Sequence, residues 1–397
     1  MNFDLISILV FYSVILLFFL KYKKRFVIQG IIVLYKTKLG LKMMDRLAKL
    51  NPKLIRLFAN AGIVVGFLGM AFGFVFLIKE TAKYLIVPDT IAPLIPLLPG
   101  ISIPGIPALS FWHWIIGIFI AAIVHESSHG IIARFHNVPI KSSGIAFLGP
   151  VMAAFVEPDE TEMNKKKAMH QIGILAAGPF SNILLGIVFF ILFAFVTGPI
   201  WANSITPGGI IAGEIINASP SAEAGLETPF TITEINGQET LNAAQFVNAS
   251  MSISPGDKVT LITDKGEKIL TASKNPENES RGYLGLAGLE QKFSPAGIAE
   301  GKPWRLSTLK WLHLLVMWMF VINIGIAVFN LLPFAIVDGG RMSLVALQAA
   351  FPKKGKNIWL ALNVITISLI VINVLPWIFK LLAWTFQMFI TVITLLP

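Results

Sequence analysis

One pentapeptide in this chain has both the residue types and the spacing for hydrolytic chemistry: His125-Glu126-Ser127-Ser128-His129. On a helix, four residues at about 100° each leave the two imidazoles roughly 40° apart on one face, one turn from each other. Both can ligate a single Zn²⁺, and Glu126 can then act as general base towards water. Cysteine is absent. Disulfides, a thiolate nucleophile and cysteine-ligated metal or iron–sulfur sites are therefore excluded, and any metal must rest on His, Asp or Glu. Ser127 and Ser128 suggest a serine hydrolase only weakly, because no acid–base pair is placed to activate them. The competing reading of the motif is a polar cluster at a helix end. It fits poorly, because GIFIAAIV runs into the motif without a break. Ionisable groups there cost about 2.5–3.5 kcal/mol each on insertion scales.

A catalytic zinc takes a third protein ligand and keeps one position open. His113 and His313 fall near the opposite membrane face, and His136 and His170 lie in flanking segments. Asp338 is the better candidate. It follows the apolar run NLLPFAIV, where Pro333 should break the helix and Gly339-Gly340 allow close backbone approach. A simple turn residue is the alternative role for Asp338.

These residues need elements to hold them, and the composition says what kind. The chain is 55% hydrophobic and 14% charged, with mean hydropathy +0.73. Soluble domains carry about 25% charged residues, so a soluble enzyme and a disordered chain are both excluded. Residues 21–56 hold 11 basic residues against Asp45 alone, which matches the net +10 of the whole chain. A nucleic-acid reader would also be basic, but this block lies between apolar runs and has no nucleic-acid motif. Retention of positive charge on the cytoplasmic side explains it better. Its stretch 36–56 reads as an amphipathic surface helix on anionic lipid.

Apolar runs at 5–20, 59–78, 111–135, 172–198, 308–334, 358–375 and 378–396 give six or seven spans. Positive charge follows the first run instead of preceding it, so that run reads as an uncleaved anchor. Gly62, Gly66, Gly69 and Gly73 predict a close-packing face on the second span. Pro88, Pro93, Pro96, Pro99, Pro104 and Pro107 predict a non-helical extracytoplasmic or interfacial loop. SSGIAFLGPVMAAFVE, 142–157, is apolar yet Gly-rich and too short to span. It reads as a hairpin or re-entrant segment. Residues 205–290 carry alternating short strands and turn signals and read as a small domain outside the membrane.

At this point the chain resembles the site-2 protease family of intramembrane zinc proteases. HESSHGIIARF matches its H-E-x-x-H form, NLLPFAIVDGG its N-x-x-P-x-x-x-x-D-G form, and AAGPFSN its small-residue G-P-x-x-N segment. The likeness covers roughly 111–341. It implies that His125, His129 and Asp338 bind zinc and that Glu126 is the base. It also implies that Asn182 and Asn330 are substrate-binding, holding substrate or the developing oxyanion; interhelical hydrogen bonding is the alternative for both. The family carries a β-like re-entrant element after its H-E-x-x-H helix. An unwound helical substrate would find new partners for its amides at such a strand edge.

Residues 219–226, 232–237 and 255–259 resemble a PDZ domain of bacterial type, with Gly208–Gly213 where its peptide-binding loop and first strand would be. A steric cap that binds no peptide is the equal alternative.

The expected architecture is a polytopic α-helical membrane protein of six to seven spans with an inserted, extracytoplasmic PDZ-like α+β domain. The expected divisions are 1–110, an N-terminal membrane region; 111–204, the core with the HExxH span; 205–290, the PDZ-like domain; 291–341, the core with the DG motif; and 342–397, the C-terminal spans. The expected activity is zinc-dependent endoproteolysis of transmembrane segments, in regulated intramembrane proteolysis. The partners would be single-span membrane proteins and the lipid bilayer, not nucleic acid, and the location a prokaryotic cell membrane. The alternatives are a non-catalytic PDZ-bearing membrane scaffold and another class of membrane zinc protease.

Overall fold

In a computed structural model, residues 3–394 are described except 31, 89, 91, 100–105, 150 and 277. Pro104 of the proline-rich loop, and residues 395–396 of the seventh predicted span, lie outside the described residues. Contacts divide the chain into two units, Met1–Phe193 with Leu314–Pro397, and Ala194–His313.

The first unit opens with helix α1, Phe3–Tyr22. The basic block is not one surface helix. It forms strands β1, Phe26–Gln29, and β2, Ile32–Thr37, then helices α2, Leu41–Leu50, and α3, Pro52–Ile86. Asn51 caps α3 by accepting hydrogen bonds from the amides of Lys53 and Leu54, and Pro52 occupies the first turn, where its missing N–H costs nothing. Helix α4, Phe111–Phe135, carries the HExxH motif. Strands β3, Ile140–Leu148, and β4, Val151–Pro158, form the hairpin expected over 142–157. Short helix α5, Glu160–Asn164, is followed by α6, Ala168–Leu192.

Strands β1 to β4 make one antiparallel sheet in sequence order. Val33–Thr37 of β2 pair with Ser143–Phe147 of β3, so the N-terminal region completes the re-entrant element. A lone hairpin is marginal, whereas four strands that pack on a helix can hold a shape. Lys36, Ser142 and Glu157 join the strands at one end of the sheet. Lys36 Nζ lies 2.7 Å from the Glu157 carboxylate, which also accepts from the Ser142 hydroxyl.

The glycine face of α3 packs as expected. A Cβ at Gly66 would press Met342 at 2.8 Å, and one at Gly69 would press Leu331 at 2.7 Å. The proline-rich segment differs from expectation. Its described part is not helical, but it does not stay on the surface. Ala92 and Leu109 are buried, and Leu94 packs with Leu77, Leu332 and Phe334. Irregular backbone is tolerated at such depth when protein covers it.

The second unit contains most of the π-helical turn Phe193–Thr197 that continues α6, then α7, Gly198–Ala202, and β5, Ile205–Ile215. There follow α8, Pro220–Glu223; β6, Phe230–Ile235; β7, Gln238–Glu239; and α9, Ala243–Met251. The unit continues with β8, Lys258–Thr263; β9, Gly266–Thr271; β10, Ser273–Lys274; β11, Gly282–Tyr283; and β12, Leu286–Pro295. The main sheet runs β12-β5-β6-β8-β9, with β7 on β6. Its core gathers Phe230, Ile232, Ile235, Val259 and Leu261 with Phe246 of α9. This unit, Ala194–His313, extends beyond 205–290 at both ends, and β12 pairs with β5 as far as Pro295. Gly208–Gly213 lie on β5, which is paired with β12 on one edge and with β6 on the other. A peptide therefore cannot add to that strand.

Helix α10, Pro303–Leu331, leads back into the first unit. It ends before Pro333, and α11, Asp338–Ala350, begins after six intervening residues, a helix not anticipated from the sequence. The last element is α12, Gly355–Thr394, with Pro376 inside it. The predicted sixth and seventh spans are thus one continuous helix. A reversal at 375–378 would leave too few residues for a turn, and proline is tolerated within apolar helices. Six helices among the described residues are long and apolar enough to cross a membrane: Ile6–Arg25, Pro52–Ile86, Phe111–Phe135, Ala168–Ala202, Pro303–Leu331 and Gly355–Lys380. The chain is a polytopic helical membrane protein.

Candidate metal centre

The helical spacing of the HExxH motif and the loop that ends α10 bring His125, His129 and Asp338 together. His125 Nε2 lies 3.0 Å from Asp338 Oδ2 and 3.0 Å from His129 Nε2, and His129 Nε2 lies 3.4 Å from Asp338 Oδ2. Bonds of about 2.0–2.1 Å at tetrahedral angles separate ligand atoms by about 3.3 Å. The donor set therefore fits Zn²⁺ in both chemistry and spacing.

The groups behind the imidazoles support the same reading. His129 Nδ1–H donates to the Ile174 carbonyl of α6 at 2.7 Å, which leaves Nε2 as a lone-pair donor for a metal. His125 Nδ1 faces Asn182 Nδ2 at 3.3 Å, and Asn182 Oδ1 is buried with no hydrogen-bond partner among the described residues. A histidine that ligates through Nε2 carries its proton on Nδ1. Turned by 180°, the amide gives that proton an acceptor and gives Oδ1 a donor. Asn182 is wholly buried. Its side-chain amide faces the His125 ring. Asn330 is half-buried near the end of α10.

Why α6 can approach so closely is legible at Gly178 of AAGPFSN. A Cβ there would collide with Nε2 of both His125 and His129. Gly339 and Gly340 are required in the same way, because a Cβ at either would strike the backbone of Leu331 or of Phe334. Two side chains of α12 then hold this loop. Asn363 Oδ1 accepts from the Ala335 amide at 2.7 Å, and Trp359 Nε1–H donates to the Gly340 carbonyl at 2.8 Å. They lie four residues apart on one helix face. Sequence reasoning missed both, since neither belongs to a motif.

Glu126 accepts a hydrogen bond from the Val156 amide of β4 at 2.9 Å. It borders a cavity of about 280 Å³ that also reaches His129 and Asp338. Arg341 and Glu160, paired at 3.1 Å, line the same cavity. The Val156 N–H points away from β3, so β4 offers an unpaired edge beside the site.

Residues 113–372 match the model of peptidase family M50, and this stretch contains every member of the cluster. The chain belongs to peptidase family M50. It is 29% identical over 318 residues to the uncharacterised protein MJ0971 of Methanocaldococcus jannaschii, which covers 78% of this chain and 76% of that protein. It is 22% identical over 257 residues to the zinc metalloprotease RasP of Geobacillus kaustophilus, which covers 54% of this chain and 59% of RasP. As an M50 member, the chain is a zinc metalloprotease, integral to a membrane through several spans.

Proposed function

We propose that this M50 protein is an intramembrane endopeptidase that cuts single-span membrane proteins within or near the bilayer. The carrying observation is the convergence of His125, His129 and Asp338 beside Glu126 on helices apolar enough to cross a membrane. These three residues would hold the zinc. When bound, zinc supplies a Lewis acid for the scissile carbonyl and lowers the pKa of water to about 7. Glu126 takes the proton from the attacking water and passes it to the leaving amine. His125 and His129 keep their protons on Nδ1, turned to Asn182 and Ile174. The outer edge of β4 receives the unwound substrate as an added strand, and its free amides and carbonyls replace the hydrogen bonds lost from the substrate helix. As the substrate strand takes up the Val156 amide, Glu126 is released to face the reacting bond.

The basic segments would face the cytoplasm, and the unit 194–313 the outside of a prokaryotic cell. We read that unit as PDZ-like. A cavity of about 130 Å³ lies between α9 and the outer edge of β12, lined by Phe246, Ser250, Leu284, Leu286 and Leu289. It supports peptide capture there and not at β5.

The test is cleavage of a single-span model substrate by the purified chain in lipid, with Glu126→Gln as control. Cleavage by the wild type alone is expected. A non-catalytic scaffold would bind the substrate and leave it intact with either form.

A further inference from the structure

A second cavity, of about 290 Å³, lies between the four-stranded sheet and helices α2 and α4. Its roof follows from register. Tyr35, Ile145 and Ala154 stand in one cross-strand row, and Thr37, Ser143 and Val156 in the next. Opposed residues, and residues two apart along a strand, share one face of a sheet, and all six line the cavity. Phe119 and Ile123 of α4 and Met43 and Met44 of α2 form the other wall. Glu126 lines this cavity as well as the one that reaches His129 and Asp338.

We infer that this cavity is a specificity subsite, which takes one large aliphatic or aromatic side chain of the substrate beside the bond that is cut. The inference rests on the proteolytic reading above. A peptide strand paired to the outer edge of β4 places every second side chain on the face shared by Ala154 and Val156, over the cavity. Ala154 is small and leaves that entrance open. The lining is apolar apart from hydroxyls and Glu126, so an acidic side chain meets both desolvation and a like charge. The two methionines form a wall that adapts to different apolar shapes. Tyr35, Met43 and Met44 precede the segment that matches the family, 113–372. That wall therefore rests on residues outside the segment that carries the metal cluster.

The experiment uses the full zinc-loaded chain in nanodiscs with a single-span substrate. Residues around the mapped cleavage point are scanned as Ala, Leu, Phe, Trp and Asp. One flanking position should favour Leu or Phe over Ala by about tenfold or more in kcat/KM, and Asp there should be refused. Ala154→Phe, which fills the cavity, should reverse the preference towards Ala with zinc content unchanged. Ile123→Ala, which enlarges it, should extend the preference to Trp and decides the matter if Ala154→Phe fails to fold. A flat wild-type profile, or variants that leave the profile where it was, would overturn the subsite while proteolysis stands. Native mass spectrometry that finds a lipid chain retained there through turnover would assign the cavity to lipid and overturn it too. A wild-type chain that holds zinc but cuts none of the substrates would fail the proteolytic reading itself, and the subsite with it.

Discussion

At the residue scale, the carboxylates Asp338 and Glu126 have separable tasks. Asp338→Ala removes one of three donors and should lose both zinc and activity, measured as metal content of the purified chain and substrate cleavage. Glu126→Gln keeps its shape but cannot accept the proton, so zinc and substrate binding should persist while cleavage stops. Asn182 tests the support behind His125. Asn182→Ala should weaken zinc about 10–100-fold, the usual cost of losing such a partner, and Asn182→Asp, which restores an acceptor, should recover much of it. Equal affinity for Asn182→Ala and wild type would remove it from that role. His136 is of a different kind. Its ring stacks on His170 at 4.1 Å, and burial, then His170, Lys166 and Arg56, pulls its pKa down to about 4. The unfolded chain, with an ordinary value near 6.5, binds the proton more readily between these limits. Stability should therefore fall as pH drops from about 6.5 to 4. His136→Gln should flatten that part of the profile in thermal unfolding followed across pH.

At the element scale, Trp359 and Asn363 extend the site to the last helix. They bond the backbone on both sides of Asp338, and so hold a carboxylate that stands where the loop from α10 enters α11. Asn363→Ala and Trp359→Phe each remove one of these bonds. Each should loosen zinc and alter the visible spectrum of a Co²⁺-substituted chain, which reports ligand geometry and would not move if the helix merely packed. The sequence showed the catalytic helix, the hairpin and the glycine face of α3 because each rests on local spacing or composition. It did not show that β1 and β2 complete the sheet, since that depends on pairing between residues more than 100 positions apart. The clamp on α12 does not show because neither Trp359 nor Asn363 belongs to a motif, although the backbone each one bonds lies only 19 and 28 residues away. The runs 358–375 and 378–396 join, as far as Thr394, into one helix because an apolar helix absorbs a proline, here Pro376, that would stop a soluble one.

At the scale of the whole molecule, orientation and the role of the unit 194–313 remain the tests of how cleavage is controlled. The absence of cysteine makes labelling clean: cysteines introduced at Ser254 and Lys354 should react with an impermeant reagent from opposite sides of intact cells, and reaction of both from outside would contradict the basic-inside arrangement. The unit itself can be removed where its own hydrogen bonds allow. Ile205 pairs with Pro295, and the Ala296 amide donates to the Ser204 carbonyl at 2.9 Å, so the two chain ends already meet at the base of the sheet. A short Gly-Ser linker from Ser204 to Ala296 therefore bridges the deletion without stretching the flanking helices. The unit has its own core around Phe230, Ile232 and Leu261, and none of its residues belongs to the cluster of His125, His129 and Asp338. Removing it should leave zinc bound and a short transmembrane peptide still cut. Selectivity should change in a direction that reveals the role. If the unit filters by size, substrates with bulky outside domains become cleavable; if it captures chain ends in the groove beside β12, captured substrates are cut more slowly. A deleted chain that keeps its zinc and fold but cuts no peptide would make the unit part of the catalytic machinery, contrary to the division of labour proposed for it.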